Sequence, residues 1–270
     1  MQILEIIKKR FKKSPYRSVG IGLVREKIIK HDSSIGLKKI KVNGKLVYYN
    51  SNEELVHCLK EIFFENIYAF RSNSDHPIIY DCGSHIGMSI LYFKLNHPSA
   101  VVHGFEPDST NFQLLTRNVN EWGFKDVHLF QHPVWNEEKD INFQASGAMG
   151  GKISDEVGKN SLSYSLKAIR LSKLIENRID LLKIDIEGAE YEVLVDCKEK
   201  LHLVNNLFVE YHSTFDESYK LIEILKILSD TGFNFYIKEA NNVYPIPFQK
   251  KKINTHFDIQ LNIFAFRDTV

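Results

Sequence analysis

Ile78-Ile-Tyr-Asp-Cys-Gly-Ser-His-Ile-Gly87 is the stretch on which the fold turns. An apolar run ends in an acid and is followed by glycines at positions 83 and 87. That pattern reads as a buried strand, a tight turn and the start of a helix. Glycine lets the backbone approach a ligand, and the free N–H groups of a helix start attract a carboxylate or phosphate. Asp81, at the strand's end, is placed to hold a cation such as an ammonium group.

The same rhythm continues outward. Strand-like runs fall at Val101 to Phe105, Val127 to Phe130, Ile141 to Phe143, Asp180 to Ile184 and Leu207 to Tyr211. Helical patterns fall at Gly87 to Leu95, Asp108 to Glu121, Glu187 to Lys200 and Asp216 to Asp230. Alternation of this kind predicts an α/β fold with a mostly parallel sheet covered on both faces. Phe233 to Ile237 and Asp258 to Phe266 are strand-like with no helix between them, so the last strand is expected to run antiparallel. Before Pro77 the pattern differs. Asn43-Gly44 between apolar runs predicts a hairpin, and Ser51-Asn-Glu-Glu54 predicts a capped helix through Leu55, Leu59, Ile62 and Phe63.

Glu106 ends the second strand of the series, where nucleotide-binding α/β folds carry a ribose-binding carboxylate. Two acids around a glycine turn describe a pocket for an adenosine-containing ligand, either NAD or S-adenosylmethionine. A dinucleotide site wants Gly-x-Gly-x-x-Gly. Here only Gly83 and Gly87 are present, and Asp81 brings negative charge to the turn. A pyrophosphate is repelled there and a methionine ammonium is not. An NAD(P)-dependent oxidoreductase is therefore the second enzyme reading.

Asp180-Leu-Leu-Lys-Ile-Asp-Ile-Glu-Gly-Ala-Glu190 puts Lys183, Asp185 and Glu187 on alternate positions at a strand's carboxyl end. Period-two geometry sets all three on one side, facing the crevice where open α/β sheets bind ligands. Leu181, Leu182 and Ile184 mark the strand as buried.

These stretches resemble the FkbM-type methyltransferases. The family's Asp-x-Gly-x-x-x-Gly is met by Asp81 to Gly87, its Phe-Glu-Pro by Phe105 to Pro107, its Lys-Ile-Asp-x-Glu-Gly-x-Glu by Lys183 to Glu190, and its Glu-x-His by Glu210 to His212. The likeness covers about residues 60 to 215 in the same order. It implies a Rossmann-like class I methyltransferase fold: a seven-stranded, mostly parallel sheet with a C-terminal antiparallel strand pair, plus an N-terminal cap. The expected division is a helix, hairpin and cap helix over residues 1–76 and an S-adenosylmethionine-binding domain over residues 77–270. The resemblance further implies that Asp81, Gly83, Ser84, His85, Gly87 and Ser89 surround the methionine part. Glu106 and Pro107 would take the ribose and adenine, with Val134 at the adenine face. The family usually has asparagine or a small residue where His85 stands. Glu61 and Tyr68 lie on a segment that covers the cofactor in this reading, and Asp185 borders it.

The implied reaction is O-methylation of a hydroxyl on a saccharide or related small metabolite. A sugar hydroxyl needs a base, and His212 has an ordinary pKa suited to that role near neutral pH. Lys183, Asp185 and Glu187 would form the polar wall that positions the acceptor. No metal site is expected, although Asp185 with Glu187 or Glu210 is a weaker alternative. The Gly147 to Asn160 loop reads as a lid, and Lys250 to Lys252 as a solvated loop that a phosphate-bearing acceptor could use.

Composition narrows the partners. The 270 residues carry 35 basic and 34 acidic side chains, a net charge of +1, so no field draws in a nucleic acid. Cys58, Cys82 and Cys197 have neither disulfide nor zinc spacing. No signal peptide or membrane span is evident, and a cytoplasmic location is expected. Residues 1–13 read as a basic amphipathic helix that packs on its own domain or a partner subunit, with weak membrane contact as the alternative. A homo-oligomer and a non-catalytic membrane-tethered partner protein are the remaining readings.

Overall fold

The computed structural model describes residues 14–144, 163–249, 251–252 and 256–267. The N-terminal basic helix, the Gly147 to Asn160 lid and Lys250 lie outside the described residues. A seven-stranded sheet organises the chain, in the order β5-β4-β3-β10-β11-β13-β12. Its strands are β3 (Ile78–Cys82), β4 (Val101–Phe105), β5 (Val127–Phe130), β10 (Ile179–Ile184), β11 (Val204–Ser213), β12 (Asn234–Glu239) and β13 (Ile259–Phe266). The first five pair in parallel, and β13 runs antiparallel between β11 and β12. All six residues of β10 are buried, as its central place requires. Strand order reverses between β3 and β10, the position where open α/β sheets leave a crevice.

Hydrophobic cores lie on both faces of the sheet. One joins the N-terminal segment to α3 (Met88–Asn96) and α4 (Ser109–Trp122); the other holds α5 (Leu171–Leu174), α6 (Glu190–Cys197) and α7 (Tyr219–Asp230). The N-terminal segment consists of a 3₁₀ turn at Pro15–Val19, helix α1 (Leu23–His31), the hairpin β1 (Lys38–Val42) and β2 (Lys45–Tyr49), and α2 (Asn52–Cys58). The first two of these were not anticipated. Asn43 and Gly44 both have positive φ, as a tight hairpin turn demands. Ser51 Oγ accepts the Glu54 N–H and caps α2, which continues into a π-helical turn at Leu59–Phe64.

One amide binds the cap to the site. Asn118, fully buried on α4, exchanges two hydrogen bonds with the backbone of Tyr48 and donates to the Ile86 carbonyl in the glycine turn. Hairpin, helix and turn are thus held by a single side chain.

Three expectations are corrected. Ile141 to Phe143 is a strand as expected, but it lies outside the seven-stranded sheet: β7 (Asp140–Gln144) pairs antiparallel with β8 (Ser163–Lys167) as a separate ribbon. In a further small sheet, β6 (Val134–Trp135) pairs in parallel with β9 (Ile169–Arg170). The chain between β5 and β10 thus finds partners locally. The helix expected from Glu187 starts at Glu190, because Glu187 and Gly188 take left-handed backbone. That expected from Asp216 opens as a 3₁₀ turn, Phe215–Glu217, before α7.

Candidate active site

The glycine turn sits between the ends of β3, β4 and β10. Gly83 and Ser84 N–H both donate to the Phe105 carbonyl at 2.9 Å, and Asp185 N–H donates to the Cys82 carbonyl at 3.1 Å. Gly83 has φ +87°, and a Cβ there would stand 1.8 Å from the Asp185 carbonyl oxygen. No other residue type fits. Gly87, at φ +90°, opens α3 against Leu115 and Trp122.

Below the turn lies an ion triad. Lys183, only 2% exposed, sits 3.2 Å from Asp81 and 3.3 Å from Asp185, and donates to the Gly83 carbonyl at 2.9 Å. Burial alone would lower the lysine's pKa; the two carboxylates more than offset it, so Lys183 stays charged. Asp81 has no exposed surface, and its other oxygen accepts from Ser89 Oγ at 2.5 Å. Its carboxylate is thus turned to Lys183 and Ser89, beneath the crevice.

A cavity opens above this triad, enclosing about 540 Å³ including its open mouth. Of the residues singled out in the sequence, Tyr68, Gly83, Ser84, His85, Ser89, Lys183, Asp185 and Glu187 line it. So does Glu61. Tyr68 is held edge-on against Phe208, with Lys183 5.8 Å from its ring centre. His85 reaches back to the cap: its Nε2 lies 3.2 Å from Glu54. Burial would lower its pKa, but Cys58 and Glu54 push it up to about 10.

Glu106 stands one step behind. Its carboxylate accepts from the backbone N–H of His85 and of Asp108, both at 2.8 Å, and burial raises its pKa to about 7. Pro107 is partly buried beside it. Val134 is 3% exposed in the second core, and neither it nor Pro107 borders this cavity.

His212 lies behind the wall, 6% exposed. Its Nδ1 is 3.4 Å from Glu190, and its Nε2 is 3.5 Å from Glu210 and 3.9 Å from Glu187. Burial would favour the neutral ring, yet these carboxylates carry its pKa well above the ordinary value. Glu187 is raised to about 7 by burial and by Asp185, Glu190 and Glu210 around it, against the pull of His212.

His57, Cys58, Ile62, Met88 and Glu210 complete the lining. Glu210 carried a signal in its Glu-x-His motif. His57, Cys58 and Ile62 had one only in spacing, since positions 57, 58, 61 and 62 form one face of a helix, and Met88 had none.

Comparison with known proteins shows the family. The model of the methyltransferase FkbM domain matches residues 81–235. The chain belongs to the FkbM methyltransferase family. The methyltransferase SdnD of Sordaria araneosa is 30% identical over 227 residues, 70% of this chain and 86% of that one. The 31-O-demethyl-FK506 methyltransferase FkbM of Streptomyces tacrolimicus is 25% identical over 228 residues, 71% and 86% of the two chains. The hexuronic acid methyltransferase AglP of Haloferax volcanii is 29% identical over 174 residues, 62% and 67%. Among solved structures, the methyltransferase FkbM of Methylobacillus flagellatus shares the fold with a TM-score of 0.50 at 14% identity, over 80% of this chain. This chain spans about half of that protein, 54%. The fold is that of class I methyltransferases, and S-adenosylmethionine is the cofactor of this family member. None of the described helices is long and apolar enough to cross a membrane.

Proposed function

We propose that the protein transfers a methyl group from S-adenosylmethionine to a hydroxyl oxygen of a saccharide or related small metabolite. The observation that carries this reading is the charge of the cavity wall. Glu61, Asp185, Glu187 and Glu210 line it against a single lysine and two histidines. Such a wall favours a sulfonium cation and a neutral, hydrogen-donating acceptor, and opposes a pyrophosphate. A hexuronic acid is the acceptor named for AglP and 31-O-demethyl-FK506 that named for FkbM, and an oxygen acceptor here is in keeping with those relatives.

S-adenosylmethionine supplies a methyl that an oxygen displaces in line from sulfur. The chain's part is placement and proton handling. Gly83, Ser84, His85 and Tyr68 hold the methionine end, while Glu106 holds the adenosine end. Asp81 and Ser89 act through Lys183, which keeps Asp185 in place beside the glycine turn. The acceptor hydroxyl donates to the carboxylate wall of Asp185, Glu187 and Glu210, with His212 set behind it.

Labelled S-adenosylmethionine incubated with a panel of neutral sugars, uronic acids and hydroxylated macrolides tests the reading. Label is expected in an alkali-stable ether on a neutral acceptor. Transfer only to nitrogen, or only to a uronic carboxylate as an alkali-labile ester, overturns it.

A further inference from the structure

The turn after β10 gathers a set of metal-ligating atoms. Left-handed backbone at Glu187 (φ 59°) and Gly188 (φ 105°) brings Asp185 and Glu187 toward His212 at the end of β11. One oxygen of each carboxylate and one ring nitrogen of His212 lie within 4.8 Å of one another. Around a divalent ion with bonds of about 2.1 Å, ligand atoms stand roughly 3.0 Å apart when adjacent and roughly 4.2 Å when opposite. The three ligand atoms stand only slightly wider apart than that arrangement requires.

His212 is a second, independent sign. Glu190, with no exposed surface, accepts from the backbone N–H of Ile186 and Gly188 and faces His212 Nδ1. A buried carboxylate at one ring nitrogen is how proteins fix the tautomer and orientation of a metal-bound histidine. Here it leaves Nε2 directed at Glu187 and Glu210, at separations of 3.9 and 3.5 Å that are too long for strong hydrogen bonds. Charge points the same way. Asp185, Glu187, Glu190 and Glu210 crowd against His212 and a lysine that Asp81 already shares. Buried negative charge of this kind is costly unless a cation joins it.

We propose that Asp185, Glu187 and His212 bind one divalent cation of the manganese type at the acceptor end of the cavity. Two carboxylates with one imidazole suit an ion that takes both oxygen and nitrogen, whereas magnesium prefers oxygen alone. Asp185 and Glu187 also line the cavity, so the ion's open positions face it. Resting on the methyl-transfer reading, the ion's use there is to hold paired oxygens of the acceptor. The acceptor's O–H proton passes to water, the new C–O bond forms, and the electron pair of the broken C–S bond stays on sulfur.

Manganese(II) titrated into the chelator-treated full chain, with S-adenosylhomocysteine present, is read by calorimetry and by the electron-spin resonance of free ion. One ion per chain is expected, with affinity at least tenfold weaker in Glu187→Gln and Glu190→Gln and unchanged in Glu223→Gln on the exposed face of α7. Should Glu187→Gln fail to fold, Asp185→Asn takes its place. No saturable binding, equal affinity in the ligand variants, or tighter binding of magnesium overturns the proposal. S-adenosylhomocysteine is titrated separately: if it binds and manganese does not, the metal site alone falls, and if neither binds, the methyl-transfer site falls with it.

Discussion

Replacing Gly83 by alanine probes the junction on which the site is built. The added Cβ would meet the Asp185 carbonyl at 1.8 Å, where contacts under 3.0 Å are essentially never found, so turn and strand end must part by about 1.2 Å. Left-handed backbone costs alanine about 1–2 kcal/mol. Forcing packed backbone apart costs about 1–3 kcal/mol more. The sum, about 2–5 kcal/mol, corresponds to a fall in Tm of roughly 5–15 °C for a domain of this size. Gly123 is the control: its φ is +65°, but nothing lies within 4 Å of its would-be Cβ. Gly123→Ala should therefore show only the backbone cost, about 1–2 kcal/mol. Urea unfolding of both variants isolates the clash. If Gly83→Ala loses no more than Gly123→Ala, the close approach of turn and β10 is refuted.

Other outcomes follow from the buried charges. Lys183→Met strands Asp81 and Asp185 and should cost about 3–5 kcal/mol in urea unfolding, with part regained in Lys183→Met/Asp81→Asn; a loss under about 1 kcal/mol would contradict the triad. Glu106 has a folded pKa of about 7 against 4.5 ordinarily, so between these values the folded chain binds more protons and stability falls as pH rises. The loss attributable to it is up to about 3 kcal/mol, and Glu106→Gln should flatten that part of the urea-midpoint profile. His85, raised to about 10, contributes stability fully present below 6.5 and lost as pH rises through 10. Glu54→Gln should thus destabilise the chain at neutral pH and match wild type above pH 10; an equal deficit at both would show that Glu54 acts by packing.

Much of this was legible in local patterns, because its causes are local. Strand β4 was readable to the residue, and the Asn43-Gly44 turn and Ser51 cap follow from chemistry within a few positions. The order of motifs along the chain likewise placed Gly83, Lys183 and Asp185 on one crevice. What the sequence hid depends on register and on distant partners. Asp81 pairs in register with Lys183 across adjacent strands, so the acid expected to meet an ammonium is turned to a lysine 102 positions away. That Glu190 faces His212 was hidden as well, because the two lie on different elements. The cap's contribution was hidden for the same reason: His57 and Cys58 meet the turn only after the hairpin docks on α4.

Binding of S-adenosylmethionine beside the glycine turn is open to direct measurement. Calorimetric titration of the full chain with S-adenosylmethionine and with NADH, for wild type and for Glu106→Ala with its folding checked, tests it in one measurement. Saturable binding of S-adenosylmethionine alone, lost in Glu106→Ala, is the predicted result. Undiminished binding in that variant, or preference for NADH, would contradict it.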